Sequence, residues 1–560
     1  MDASVGTGFV PRLRVLPSRA AVFVALLPAA ALFIFHASLY GGWLIDDAGI
    51  SFAYARNLAS GYGLVSQPGQ VPVEGFSNPL WVLLIATCYA LKLFSIPLVP
   101  KLLSVLAVLA AFSVLAVVVL EITAAWEAPV IAGMGLLLTA ANPGFVLWCI
   151  SGLENPLLIL LASLLLLTTF RSVRAPAGKV RLPLCAGALA SGLALTRPDA
   201  VLYCIFFPSA LLVCKDRSGL THRVRSLVAY GLAVGLPFAA WLLFRRLYFH
   251  DWLPNTYYAK GGISFDTVSD LLQLDGPGFV RAAGLSRAIF PLAPALVPLL
   301  FLAPVFLWRH MERRVELLAI FVSLAFLGYI VLPDDWMGEY RFGTLAFPGT
   351  YLLGFVVLGQ IPLAGRGLRS KVAVIAVAGM VLLAGCILPF VDRERSVLHS
   401  PVVPLESVAS SAWQYNALTR GLALKHPVLL LPDLGGALML SNSRVVDVAG
   451  LCDRSIARMY ESGANPAQFA QYILDTVQPD LIHVHFYWAW KSGLLHSPQL
   501  AAQYIDLGGG DYVRRTSLPP GMGDARVLAL KARVWQAPSD DELRRALSVS
   551  RTPVLGQPTF

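Results

Sequence analysis

Charge is what this chain has least of. Asp, Glu, Lys and Arg make up 14% of its 560 residues while apolar residues reach 57%, against about 25% and about 45–50% in soluble proteins. That balance excludes a cytosolic globular enzyme and a disordered chain, because so much apolar surface cannot be hidden in a soluble core and has to meet lipid. Cysteine is sparse too. The seven present (Cys88, Cys149, Cys185, Cys204, Cys214, Cys386 and Cys452) are odd in number, show no CxxC or CxH spacing and lie mostly in or beside apolar runs, which argues against a disulfide framework or a zinc site. Gly61-x-Gly63 has neither a third glycine nor a P-loop lysine, so no nucleotide cofactor is expected. The net charge of +10 does not form a nucleic-acid surface, since the basic residues fall in short clusters between apolar runs, as membrane topology signals do.

What the sequence does have is a series of runs long enough, or nearly so, to cross about 30 Å of hydrocarbon. They fall near 20–40, 79–96, 101–120, 127–148, 157–170, 183–195, 200–214, 226–247, 288–307, 315–332, 345–362 and 371–391. Arg12, Arg14 and Arg19 precede the first run, which exceeds a signal-peptide core and lacks a cleavage site, so an uncleaved first span is expected. The basic clusters Arg171–Arg181, Lys215–Arg225, Arg309–Arg314 and Arg366–Lys371 place four loops inside and leave 41–78, 248–287, 333–344 and everything after 391 outside. An inside start and an outside end require an odd number of crossings. About eleven transmembrane helices are therefore expected, with the superfluous candidate between 79 and 170. The polar tail, 392–560, carries β-like runs at Pro427–Leu431, Arg444–Val448, Asp480–His485 and Arg526–Leu530, which predicts a C-terminal external α/β domain behind a membrane module, 1–391.

The chemistry-bearing residues gather in the outside loops. Asp46 and Asp47 open the loop 41–78 at the exit of the first span, where an unpaired charge is costly. A positioned carboxylate suits acid–base work on a sugar hydroxyl, and oxygen ligands suit a divalent cation (Mg, Mn or Ca) held by Asp46 and Asp47; a solvated loop pair is the plain alternative. Glu74 precedes the turn Gly75–Pro79, in which Pro79 reads as a helix start. Ser151-x-x-Glu154 fits a capping box as well as a buried functional Glu154. Thr196, Pro198 and Asp199 suit a helix start, leaving Arg197 between two apolar segments in want of an anion. His483 and His485 alternate on an expected strand and so face one side, where they could share a metal.

Read in order, Asp46-Asp47-Ala48 with Tyr54-Ala55-Arg56-Asn57-Leu58-Ala59 and Val73-Glu74-Gly75-Phe76-Ser77-Asn78-Pro79-Leu80-Trp81, then Ser151-Gly152-Leu153-Glu154, Thr196-Arg197-Pro198-Asp199, Leu253-Pro254-Asn255-Thr256-Tyr257-Tyr258-Ala259-Lys260, Asp335-Trp336-Met337 with Tyr340-Arg341-Phe342, and Asp433-Leu434-Gly435-Gly436-Ala437 with Val446-Asp447-Val448-Ala449-Gly450, carry a family resemblance. The pattern resembles the membrane glycosyltransferases of the GT-C superfamily, most closely the mycobacterial terminal β-(1→2)-arabinofuranosyltransferase group, over roughly residues 40–455. Gly49 and Ala53 stand where that pattern has bulkier residues, and Pro72 extends its turn.

The resemblance implies a GT-C fold and a polyprenyl-phosphate-linked sugar donor, with arabinofuranose the expected sugar and a cell-envelope glycan the acceptor; mannose or another sugar passed to glycan, lipid or protein is the alternative. It implies a multi-pass protein of the bacterial inner membrane with its active site outside. Asp46, Asp47 and Glu74 are then the expected catalytic residues, and Arg56, Asn78, Glu154, Arg197, Asn255, Tyr257, Lys260, Asp335, Trp336, Tyr340 and Arg341 the expected substrate contacts. Arg197, Lys260 and Arg341 would hold the departing phosphate, and the tail would orient the acceptor. A lipid-linked glycan transporter or flippase shares the polytopic body, but has no need of a carboxylate pair in a large outside loop.

Overall fold

The computed structural model describes residues 19–548 apart from 125, 176–178, 215–218, 262–275, 308–312, 333–335 and 362–367. Asp335, an expected substrate contact, lies outside the described residues.

Six helices among the described residues are long and apolar enough to cross a membrane: Ala20–Leu39 (within α1, Arg19–Leu39), Leu98–Ile122, Asn155–Ser172, Gly219–Tyr248, Arg313–Val331 and Ser370–His399. Their apolar exteriors need lipid. In Gly219–Tyr248 only Ser226, Tyr230 and Arg245 are buried, while leucines such as Leu220, Leu236 and Leu247 stand exposed. The run expected to cross at 127–148 is broken. Ala128–Ala141 and Pro143–Ile150 meet at 72°, because Pro143 has no N–H to continue the first helix and the Asn142 side chain caps the second by accepting from the Phe145 amide. Pro79–Ala90, Arg181–Thr196, Pro198–Val213 and Ala346–Gln360 are apolar but shorter. The run expected near 288–307 is a shorter helix, Leu296–Leu307, preceded by a separate helix, Pro277–Ile289, that ends where the run begins.

The loop after the first span opens with a helix. α2 (Asp46–Ala59) is buried along most of its length, and its start is pinned by the chain from the last long helix: Ile45 forms an antiparallel bridge with Pro404, the Asp46 amide donates to the Val403 carbonyl and the Leu405 amide to the Leu44 carbonyl. Residues that read as a loop from composition are thereby packed between the membrane module and the tail.

The tail holds a five-stranded sheet. β1 (Val428–Leu431) lies parallel between β2 (Arg444–Asp447) and β3 (Leu481–His483), while β5 (Asp511–Arg514) runs antiparallel to both β3 and β4 (Tyr504–Gly508). Two details differ from the sequence expectation. Arg526–Leu530 belongs to the helix Asp524–Val534, since Val527 and Leu530 are buried and Leu528 exposed, a spacing of three rather than two. The β4–β5 hairpin has no counterpart among the expected strands, although its signal is present: Gly508, Gly509 and Gly510 all take positive φ (78°, 70° and 85°), which favours glycine at tight turns.

Candidate active site

The two adjacent aspartates serve different ends, because consecutive residues of a helix point about 100° apart. Asp46 is buried against the tail: Gly435 N donates to its Oδ2 at 2.8 Å and Gly436 N to its Oδ1 at 2.7 Å. Burial pushes its carboxyl up to about 8, against the lowering effect of those two amides. The fit depends on glycine. A Cβ on Gly435 would lie 1.7 Å from the Asp46 carbonyl oxygen, and one on Gly49 would lie 2.6 Å from Gly435 C, which accounts for the missing bulk at position 49. Asp47 is 29% exposed at its side chain and its Oδ2 lies 3.8 Å from Arg341 Nη1.

Arg341 is the centre of the arrangement. Its Nη2 is 4.0 Å from Glu154 Oε1, so the guanidinium lies between two carboxylates at distances too long for hydrogen bonds. Nη1 donates to the Met337 sulfur at 3.1 Å, Nε is buried without a partner, and the side chain is only 11% exposed. The rings of Trp148 and Phe342 lie 5.8 and 5.4 Å from Cζ. The turn that delivers Arg341 is strained: Gly338, Glu339 and Tyr340 all take left-handed φ (71°, 51° and 57°), at about 1–3 kcal/mol for each non-glycine. Three contacts hold it. Arg393 pairs with Glu339 and lies 5.0 Å from the Tyr340 ring centroid, while Trp148 Nε1 donates to the Glu339 carbonyl at 3.0 Å.

Behind Arg341 lies a closed polar network. Glu154 is buried and receives Arg197 Nη1 at 3.0 Å and Asn78 Nδ2 at 2.8 Å. Burial would raise the Glu154 carboxyl, but the Arg197 and Arg341 guanidiniums outweigh it and hold the group below its usual range. Arg197 also donates Nε to Asp199 at 3.0 Å, and Ser51 Oγ donates to Asn78 Oδ1 at 3.2 Å. The capping-box reading of Ser151-x-x-Glu154 is therefore not realised: the Ser151 hydroxyl donates to the Trp148 carbonyl, and the Glu154 carboxylate faces arginines. Asn78 caps no helix with its side chain either.

Other expected site residues have structural partners instead. Glu74, expected as a catalytic carboxylate, is buried in a two-point ion pair with Arg245, whose Nη2 is 3.1 Å from Glu74 Oε1; burial lifts the Glu74 carboxyl to about 7 against the pull of that arginine. Arg56, expected on substrate, donates to the carbonyls of Met439 and Leu438 at 2.9 Å each, closing the C-terminal end of the helix Gly435–Leu440. Asn255 Nδ2 donates to the carbonyls of Gly450 and Leu451 at 2.7 and 2.9 Å, and its own amide donates to the Glu74 carbonyl. Each of the three ties the membrane module to itself or to the tail. Tyr257 stacks edge-on against Tyr258, Lys260 stands exposed after the short helix Asn255–Ala259, Trp336 is exposed, and Tyr340 is turned towards Arg393 and Tyr329.

Sequence reasoning gave no role to Arg245 or Glu339, and took Gly435 and Gly436 only as part of a motif string. Arg245 carried a signal of its own, being a charge inside an apolar run that requires a partner. The donor set does not suit a divalent cation: both Asp46 oxygens accept amides, Asp47 faces a guanidinium, and no group of three His, Cys, Asp or Glu side chains converges among the described residues. His483 and His485 do not share a ligand either. His483 Nδ1 contacts Asp511 Oδ1 at 2.8 Å and His485 Nε2 contacts Asp433 Oδ2 at 3.0 Å.

No family model and no curated protein matches the chain. Among solved structures, ArnT from Cupriavidus metallidurans bound to undecaprenyl phosphate aligns at 14% identity over 94% of this chain and 88% of that one, with a TM-score of 0.44. The Archaeoglobus fulgidus oligosaccharyltransferase in its apo form aligns at 11% identity over 90% and 75%, with a TM-score of 0.49.

Proposed function

We propose that this chain is a GT-C-type glycosyltransferase that moves a sugar, arabinofuranose by its motif order, from a polyprenyl-phosphate donor to a cell-envelope glycan at the outer face of a bacterial plasma membrane. The observation that carries the reading is Arg341: a buried guanidinium with an unpartnered Nε and two over-long carboxylate contacts, set beside the half-open carboxylate of Asp47. A guanidinium offers five donors in a planar fork that matches phosphate, and a phosphate oxygen would supply what the protein around Arg341 does not.

In the reaction, the acceptor hydroxyl oxygen bonds to the sugar's anomeric carbon as the bond from that carbon to the phosphate oxygen breaks, and the electron pair leaves with the phosphate. Arg341 stabilises the charge growing on the departing phosphate, an electrostatic contribution that is largest where water is excluded. Asp47 accepts the hydroxyl proton. Glu154, itself held by hydrogen bonds from Arg197 and Asn78, attracts Arg341 by charge from behind, and Asp46 locks the start of α2, fixing Asp47 next to it. The bilayer supplies the polyprenyl chain sideways to the apolar helices.

The test is sugar release by detergent-purified protein from synthetic polyprenyl-phosphate arabinofuranose and polyprenyl-phosphate mannose, each with an oligosaccharide acceptor, alongside Arg341→Gln. Transfer from the arabinofuranosyl donor, reduced about 10²-fold or more in Arg341→Gln, supports the reading. Transfer from the mannosyl donor alone overturns the sugar, and turnover of neither donor with lipid-linked glycan still bound points to a transporter.

A further inference from the structure

His483 and His485 sit two residues apart, yet their surroundings differ. His483 is closed into a network in which Asp511 also receives Lys531 Nζ at 2.7 Å and the Tyr415 hydroxyl; the Asp511 side chain is only 8% exposed, and this group knits β3 and β5 to the neighbouring helices. His485 lies past the end of β3, paired with Asp433 past the end of β1, and both side chains are open, at 36% and 25% exposure. Asp447 ends β2. The C-terminal ends of the three parallel strands therefore lie along one edge, the edge at which open α/β sheets bind their ligands. That edge faces the aspartates: Gly435 and Gly436, two and three residues after Asp433, hold Asp46, and the charge of Asp433 is felt at the Asp46 carboxyl.

His485 also opens a short helix, Phe486–Lys491. Tyr487 and Trp490 lie three apart on it, on one face, with ring centroids 6.2 Å apart, and both are largely exposed. The Lys491 ammonium lies 4.0 Å from the Tyr460 ring centroid and 5.4 Å from that of Tyr487, anchoring the platform to the tail.

We infer that Asp433, His485, Tyr487 and Trp490 form the acceptor-side saccharide subsite, with the ring pair packing against the apolar C–H face of a sugar and the His–Asp pair hydrogen-bonding its hydroxyls beside Asp47. Saccharides present both faces at once, an apolar ring side and a rim of hydroxyls, and aromatic rings beside a few placed polar groups match that pairing. The inference rests on the glycosyltransferase reading for its role, but not for its measurement.

The experiment is saccharide binding to the full-length, detergent-purified protein without donor, followed by saturation-transfer NMR with a linear arabinofuranosyl hexasaccharide and with mannohexaose. Wild type binds one of them; Tyr487→Ala/Trp490→Ala and His485→Ala each weaken it about tenfold or more, Trp490→Phe restores most of the affinity, and acceptor KM in the transfer assay rises in parallel. Affinity unchanged in both variants overturns the subsite and leaves the rings as interfacial anchors. Saccharide binding that the variants abolish, in a protein that turns over neither donor, supports the subsite and overturns the transfer reading alone.

Discussion

One methyl group on Gly435 tests whether the tail positions the aspartates. In Gly435→Ala the new Cβ would lie 1.7 Å from the Asp46 carbonyl oxygen and 2.8 Å from its Oδ1, whereas real Cβ contacts are essentially never under 3.0 Å. Gly435 has no positive φ, so the change acts by volume alone. Relief from 1.7 to 3.0 Å demands a movement of 1.3 Å between two backbones, which have no rotamer to absorb it. Such a shift carries the 2.8 and 2.7 Å amide bonds to Asp46 beyond hydrogen-bonding range. Two bonds to a carboxyl group that burial keeps largely protonated near pH 7, at about 0.5–1.5 kcal/mol each, make about 1–3 kcal/mol of lost docking. Asp47, the next residue along, moves with Asp46, and a misplacement of about 1 Å costs about 10² in rate. The assay is transfer from polyprenyl-phosphate donor together with the thermal unfolding midpoint, with Gly523→Ala as control, where the added Cβ meets nothing within 4 Å. A Gly435→Ala protein with wild-type midpoint and transfer within about threefold of wild type, a barrier change of about 0.7 kcal/mol, would refute the reasoning.

Three further outcomes are expected. Asp47→Asn lowers the transfer rate about 10²–10⁴-fold with an unchanged unfolding midpoint, because its side chain is 29% exposed and its contact with Arg341 is 3.8 Å long; a midpoint that falls together with activity would assign it a structural role. Glu74→Gln leaves Arg245 buried without its carboxylate and destabilises by about 3–5 kcal/mol, and Glu74→Leu/Arg245→Leu recovers both stability and transfer; a double variant that is stable but inactive would return Glu74 to the chemistry. Burial raises the carboxyls of Asp46 to about 8, Asp447 to about 7 and Glu74 to about 7, so the folded chain keeps protons that the unfolded chain releases near pH 4. Their contribution is complete below about pH 4 and is lost as pH rises through 7 to 8, so the midpoint, measured across that window, falls with pH less steeply in Asp447→Asn.

Much of the membrane module is legible from composition, because a run of twenty apolar residues has few alternatives in water. The motif residues were legible as well, but their partners were not. Asn78 and Glu154 meet although they are 76 positions apart, and Arg341 reaches Asp47 only through the left-handed turn 338–340, which no local preference of Glu339 or Tyr340 would suggest. Glu74 and Arg56 looked like Asp47 in the sequence: charged residues in or beside one loop.

The sequence by itself determined that this chain lives in a bilayer, that its tail is an α/β unit, and which short strings hold the polar residues, since hydropathy and periodicity are local properties summed along the chain. Only the tertiary structure decided which charges are consumed and which are left to act. Arg245 neutralises Glu74 and two glycine amides satisfy Asp46, whereas Arg341 keeps an unpartnered Nε. A charge's role depends on what lies within a few ångströms of it, and here those neighbours come from segments up to 390 residues apart in the chain.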